Sequence, residues 1–216
     1  MSLNHNKKMN KKTIVIDIVS DTICPWCWVG KRQLEKAILQ TRDLYDFKIN
    51  WHPFLLNEKM KREGEDKDSY YLKKFGKLPK DMGPQRKYMT EVAQSLGINF
   101  NFDGKIVPTT IPSHNLVSIA KIQDKEDEMV EALFESFFSK AENIGDPKIL
   151  KQIANNVGIK DLDLNELEKE DEVQKEQKLW KNKYDISGVP YFIFNGQFGE
   201  SGAQPAENFL KFFKDC

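Results

Sequence analysis

Thr13 to Val19 (TIVIDIV) is a run of β-branched apolar residues broken once, by Asp17. It is too short for a helix and apolar on both parities, which predicts a central strand covered on both faces. From Pro25 to about Leu39 the rhythm changes. Val29, Leu34, Ala37 and Ile38 recur at roughly helical spacing, and Pro25 suits a first helical position, where its missing N–H is not needed. Phe47 to Trp51 (FKINW) alternates apolar and polar residues as a half-buried strand does, and Pro53 ends it. The chain therefore opens β-α-β.

Glu58 to Asp68 (EKMKREGEDKD) is almost entirely charged and predicts a solvated loop. Beyond it the spacing predicts helices at about 69–75, 84–96, 112–122, 126–140, 146–157 and 163–170, punctuated by Gly97, Pro108 and Gly145-Asp146-Pro147. No strand run of comparable strength interrupts them. Phe134, Phe137 and Phe138 fall at helical spacing and are expected in the core. A further helix from Val173 to about Tyr184 leads into a short aromatic strand, Val189 to Phe194 (VPYFIF). Asn195-Gly196 signals a tight hairpin, with Gln197 to Glu200 as the return strand. A last helix, Pro205 to Lys214, carries Phe209, Leu210, Phe212 and Phe213. The order β-α-β, helical block, α-β-β-α describes an α/β fold and excludes sandwiches and barrels.

Composition narrows the function. The 216 residues hold 33 Lys plus Arg and 33 Asp plus Glu, so no global positive field exists to hold nucleic acid or an anionic membrane, and neither is expected as a partner. The polar, basic start MSLNHNKKMNKK has no following apolar stretch ended by small residues, so the expectation is a cytoplasmic protein without signal or membrane span. Three cysteines cannot all pair within one chain, and a reducing compartment argues against structural disulfides.

Two of those cysteines, Cys24 and Cys27, share one CPWC tetrapeptide at the point where the first strand gives way to a helix. A cysteine at a helix N-terminus meets unsatisfied N–H donors and the positive end of the helix dipole, which stabilise a thiolate. Cys24 holds that position, which also exposes it, and Cys27 lies one turn deeper, where a disulfide can close. The pair suits exchange chemistry: Cys24 attacks a substrate disulfide and Cys27 resolves the mixed disulfide. The alternative is half of a zinc site, with His52, His114, His5 and Cys216 as the remaining ligand candidates, or a peptide-binding module.

DTICPWCWVGK resembles the active-site segment of the DsbA-like thioredoxin superfamily, and within it the cytosolic FrnE-like dithiol-disulfide isomerase branch. SGVPYFIFNGQFGESGAQPAENF resembles that family's Gly-Val-Pro-aromatic strand, hairpin and final helix, and ALFESFFSKAENIGDPKILKQIANNVGI resembles its helical insert. The resemblance implies a thioredoxin fold over 13–56 and 172–216, interrupted by an all-helical domain at 57–171. It implies a cis Pro190, with the backbone of Val189 facing the cysteines and able to pair with an extended substrate. It also implies a thiol–disulfide oxidoreductase acting as reductase or isomerase on a disulfide-containing protein or small thiol, without a bound cofactor. Glutathione is a possible co-substrate. Kappa-class glutathione transferases and 2-hydroxychromene-2-carboxylate isomerases share the two-domain layout and supply the alternative activity, although they usually carry Ser at the position of Cys24.

Four further residues stand out. Asp17, seven residues before Cys24, is a candidate to accept the Cys27 proton, although strand parity groups it with Val15 and Val19. Asp21 reads as a cap or turn residue. Trp26, between the cysteines, must be at least partly exposed and reads as a substrate platform. His114 falls in a Ser113-His114-Asn115 cluster that matches, by resemblance, a polar group lining the family's substrate groove.

Overall fold

The computed structural model describes residues 11–216; the polar N-terminal segment and His5 lie outside them. Four strands form the main sheet in the order β2-β1-β5-β6, with β1 at Lys12–Ser20, β2 at Tyr45–Pro53, β5 at Tyr191–Phe194 and β6 at Phe198–Ser201. β1 runs parallel to β2, with Ile16 opposite Ile49, and antiparallel to β5, with Ile18 opposite Phe192. The hairpin closes at Asn195 and Gly196, both at positive φ, the backbone that an Asn-Gly turn accommodates.

The two parities of β1 are buried by different helices. Ile14, Ile16 and Ile18 pack with Leu34 and Ala37 of α1 (Pro25–Thr41) and with Phe209 and Phe213 of α8 (Ala206–Asp215). Val19 and Ile193 face the other way, toward Trp180 and Tyr184 of α7 (Glu170–Tyr184). Burial of Phe209 and of Phe213 contributes about 1.5–3 kcal/mol each, which helps a helix this short hold its place at the end of the chain.

Between β2 and α7 the chain is helical: α2 (Lys67–Phe75), α3 (Gly83–Ser95), α4 (Ile111–Ile122), α5 (Glu126–Phe134) and α6 (Pro147–Val157). Three details depart from the sequence reading. The charged stretch does not stay a loop to its end, because β3 (Glu65–Asp66) pairs with β4 (Ile106–Val107) and Asp66 then caps α2 by accepting the Ser69 N–H. The segment expected as a helix at 163–170 is a 3₁₀ turn, Leu164–Glu168, from which α7 starts directly. The helix expected over 126–140 widens to a π-helix over Glu135–Ser139, which keeps both Phe134 and Phe138 in the core. None of the described helices is long and apolar enough to cross a membrane.

Candidate active site

Cys24 is the N-cap of α1, with extended backbone (φ −93°, ψ 111°) and Pro25 in the first turn. The turn that delivers it is closed by the Cys24 N–H donating to the Asp21 carbonyl (3.0 Å), and the Cys27 N–H donates to the Cys24 carbonyl (3.1 Å). Both cysteines are free thiols. Cys27 is 1% exposed, and burial together with neighbouring Cys24 pushes its thiol well above the ordinary cysteine range. Hydrogen bonding from the Ser20 side chain and the Asp21 backbone acts in the opposite direction and is outweighed.

Cys24 is only 5% exposed, less than its place in the motif suggests. The cover comes from the far end of the chain, where the Cys24 thiol donates to the Val189 carbonyl oxygen at 3.6 Å. The Val189–Pro190 bond is cis. Gly30 eases this approach: a Cβ there would stand 3.0 Å from the Phe192 ring and 3.2 Å from Pro190 Cγ, so a larger residue would press on the turn and on Phe192.

Trp26 is partly exposed, and its ring lies 6.1 Å from that of Tyr88, an exposed residue of α3. Cys24, Trp26, Cys27, Val189 and Pro190 are thus brought to one end of the sheet. Asp17 is not among them. Its carboxylate accepts from Asn50 (2.9 Å) and meets His52 Nε2 (3.0 Å), on the face of the sheet covered by α7. Burial works to raise its pKa, but the hydrogen bonds from His52 and Asn50 outweigh burial and hold it below the ordinary aspartate value. An ionised carboxylate engaged on the opposite face does not serve Cys27, and the expected role of Asp17 is withdrawn.

Asp21 instead lies beneath the motif. It is fully buried, its Oδ2 accepts the Leu56 N–H (2.8 Å), and its Oδ1 stands 3.5 Å from His114 Nε2. His114 itself is buried at the start of α4, whose Ser113 shares a 2.7 Å hydrogen bond with Thr22, while Asn115 donates to the Leu167 carbonyl (3.0 Å). The zinc alternative gains no third ligand: among the described residues no three His, Cys, Asp or Glu side chains are arranged to hold a metal ion, and the Cys216 thiol donates to the Phe212 carbonyl (3.2 Å).

The DsbA-like thioredoxin domain family matches this chain over residues 15–214. The chain belongs to that family. Family membership carries thiol–disulfide oxidoreductase or isomerase chemistry in general. YwbO of Bacillus subtilis (strain 168), itself uncharacterized, is 29% identical over 213 residues, spanning 94% of this chain and 97% of its own. A probable DsbA oxidoreductase of Streptomyces coelicolor superposes with a TM-score of 0.79 at 24% identity, over 94% of this chain and 89% of that one. The cytosolic disulfide reductase DsbM of Pseudomonas aeruginosa, solved with glutathione, superposes with a TM-score of 0.66 at 14% identity, over 93% and 98%. The fold is thus the thioredoxin fold with an inserted helical region.

In this DsbA-like fold the active-site helix is shared with the insert. Trp28, beside Cys27, stacks on Phe134 and Phe138 (centroids 6.0 Å from each) and donates its indole N–H to Glu131 (3.1 Å). Lys31, 3% exposed, reaches Asp127 (3.0 Å), Glu131 (3.2 Å) and Glu35. Burial opposes its charge, but Asp127, Glu35 and Glu131 outweigh burial and raise its pKa above the ordinary lysine value. Sequence reasoning missed this lysine because a charged residue on an amphipathic helix reads as surface.

Proposed function

We propose that this protein is a cytoplasmic thiol–disulfide oxidoreductase of the FrnE-like branch, with Cys24 as nucleophile and Cys27 as resolving thiol. The thioredoxin unit in this reading comprises 13–56 and 172–216, with the insert at 57–171. The Cys24 thiolate attacks one sulfur of a substrate disulfide, and the other sulfur leaves as a thiolate. Cys27 then attacks Cys24, the substrate's remaining sulfur leaves, and two electrons have passed from the CPWC dithiol to the substrate. Two molecules of a small thiol such as glutathione return the enzyme to its dithiol form and leave joined as their own disulfide. The observation that supports the reading is the 3.6 Å approach of the Cys24 thiol to the Val189 carbonyl, which sets the nucleophile against a backbone edge able to pair with a substrate chain. Trp26 widens that edge with an aromatic surface.

A reducing compartment favours reduction or isomerisation of substrate disulfides over their formation. No histidine stands between the cysteines to stabilise the thiolate further, in agreement with that direction. A glutathione-dependent enzyme is the second reading, supported by the glutathione in the DsbM structure, and Cys24 in place of the serine usual in related transferases weighs against it.

Expression of Cys27→Ser tests both. Without the resolving thiol, Cys24 forms mixed disulfides that persist, and protein partners should be isolated covalently attached. Capture of glutathione alone favours the second reading. Cys24→Ser should capture neither, and equal capture by the two variants overturns exchange chemistry at this motif.

A further inference from the structure

Charge is not spread evenly along this chain. Its totals of basic and acidic side chains are equal, 33 and 33, yet from Lys67 to Lys87 seven lysines and arginines stand against two carboxylates, Asp68 and Asp81. This basic segment comprises α2, a 3₁₀ turn at Pro79–Asp81 and the start of α3. Among the described residues its ion pairs are Lys73 with Glu65 and, at 3.9 Å, Lys87 with Glu91. Lys67, Lys74, Lys77, Lys80 and Arg86 are left without a carboxylate, whereas Lys31, Lys121 and Lys181 elsewhere each have one.

Two of these cations are held on one ring. The Arg86 guanidinium lies 3.7 Å from the centre of Phe102, and the Lys67 ammonium lies 5.9 Å from it while donating to the Phe102 carbonyl (2.6 Å). Burial and the like charges of Arg86 and Lys105 hold Lys67 below the ordinary lysine value, and Asp103 and Asp68, which act the other way, do not offset them. Like charges kept together without a counter-ion favour any anion that arrives.

The basic segment also reaches the CPWC motif. Tyr88, 62% exposed, follows Arg86 by two residues and places its ring 6.1 Å from that of Trp26, between the cysteines. The Phe102 ring continues through Phe100 (5.7 Å) to Trp28 (6.1 Å), the residue after Cys27. Leu72 and Phe75 of α2 are exposed as well, so apolar side chains are interleaved with the cations. Nucleic acid or an anionic lipid surface would answer the charge, but neither has a disulfide to present to Cys24. An acidic polypeptide has both.

We propose that the basic segment of α2 and α3 is a docking surface for acidic polypeptides, and that the preferred substrates carry Asp or Glu beside their disulfide. Resting on the exchange reaction proposed above, this names the class of substrate that the reaction takes. The excess positive charge steers an acidic chain toward Trp26, and its carboxylates settle on Arg86, Lys67 and the exposed Lys77 and Lys80.

Three peptides of one length, each closed by a single disulfide flanked by Glu, Gln or Lys, read the preference. Each is mixed with excess reduced protein and quenched in acid, and its rate of opening is divided by that with 2-mercaptoethanol to remove intrinsic reactivity. At about 20 mM salt the Glu peptide should open about tenfold faster than the Gln peptide, and the Lys peptide slower still; at about 500 mM the three should converge. Lys77→Glu combined with Lys80→Glu should abolish the preference at low salt. The same variant should keep the wild-type urea midpoint and reduce the neutral bis(2-hydroxyethyl) disulfide, which has no charge to dock, at the wild-type rate. Arg86→Gln carries the test if the double variant does not fold. Equal opening of the three peptides at low salt, or a preference that survives charge reversal, overturns the proposal. Competition by an oligonucleotide but not by polyglutamate assigns the segment to nucleic acid and overturns it too. A reduced protein that opens neither the peptides nor the neutral disulfide overturns the exchange reading itself, a different failure.

Discussion

The Cys24 thiol donates to the Val189 carbonyl oxygen across 165 residues of sequence, at 3.6 Å. A thiol donates and a thiolate does not, so ionisation of Cys24 releases this carbonyl. In the exchange reaction proposed above, the event that makes the sulfur a nucleophile also frees a backbone acceptor for a substrate N–H.

Alkylation should single out Cys24. Cys27 and Cys216 both have thiols raised by burial, and Cys27 is enclosed, whereas Cys24 is the N-cap residue of α1, where unsatisfied N–H groups and the helix dipole favour a thiolate. Brief iodoacetamide treatment at neutral pH, mapped by mass spectrometry, should label Cys24 at least about tenfold faster than either of the others. Prior labelling of Cys27 or Cys216 would reverse the assignment of nucleophile.

Gly30→Ala should destabilise the fold. Alanine gains about 1 kcal/mol of helix propensity over glycine, whereas overpacking a filled core costs about 1–3 kcal/mol. The Cβ would press on Phe192, which is fully buried with its ring 4.9 Å from that of Phe209, so the ring has little room to yield. We expect a net loss of about 1 kcal/mol in urea unfolding and a changed rate of Cys24 alkylation, since α1 must shift away from Pro190.

The ion cluster on α1 should be sensitive to loss of its buried cation, Lys31. Lys31→Met leaves Glu35, Asp127 and Glu131 around an apolar side chain, with Arg32 still paired to Glu35 (2.7 Å) and Glu131. These carboxylates are partly exposed, so we expect a loss of about 2 kcal/mol, below the range for a fully buried pair. Adding Glu131→Gln should recover part of it, and an unchanged urea midpoint for the single variant would contradict the role given to Lys31.

His52 should make stability depend on pH. Burial lowers its pKa, but hydrogen bonds and charge from Asp17 and Glu176 outweigh burial, and the folded-state value lies above the ordinary 6.5. A raised pKa stabilises the folded state fully below the unfolded value, and the contribution is lost as pH rises through the folded one. Wild type should therefore exceed His52→Gln in unfolding midpoint at pH about 6, with the gap narrowing on the alkaline side to what the stacking of His52 on Trp180 contributes. A gap that widens with pH would show the sign to be wrong.

Much of this was legible in the sequence because it rests on local signals. The β-branched run of β1, Pro25 opening α1 and Asn195-Gly196 closing the hairpin are each decided within a few residues. Asp17 shows where local reading stops. Parity correctly grouped it with Val15 and Val19, but which helix covers that parity is a property of the whole fold, and α7 turned out to cover it. Asp21 and His114 meet only because α4 docks its first turn onto the β1–α1 turn, and nothing near either residue announces the other. The two-residue pairing of β3 with β4 fell below any periodic signal, and it ended a charged stretch that reads as loop.

The dependence of the Cys24 site on Val189 orders events in time. A ribosome making this chain delivers the CPWC thiols early and the Val189-Pro190 turn 165 residues later, roughly 10–30 s afterwards at ordinary synthesis rates. During that interval the nascent chain carries Cys24 without its carbonyl cover and Cys27 without the last strands and helix of the core. Through that interval both thiols lack the cover the folded chain gives them, and the finished arrangement of Cys24 against Val189 exists only once β5 has joined the sheet.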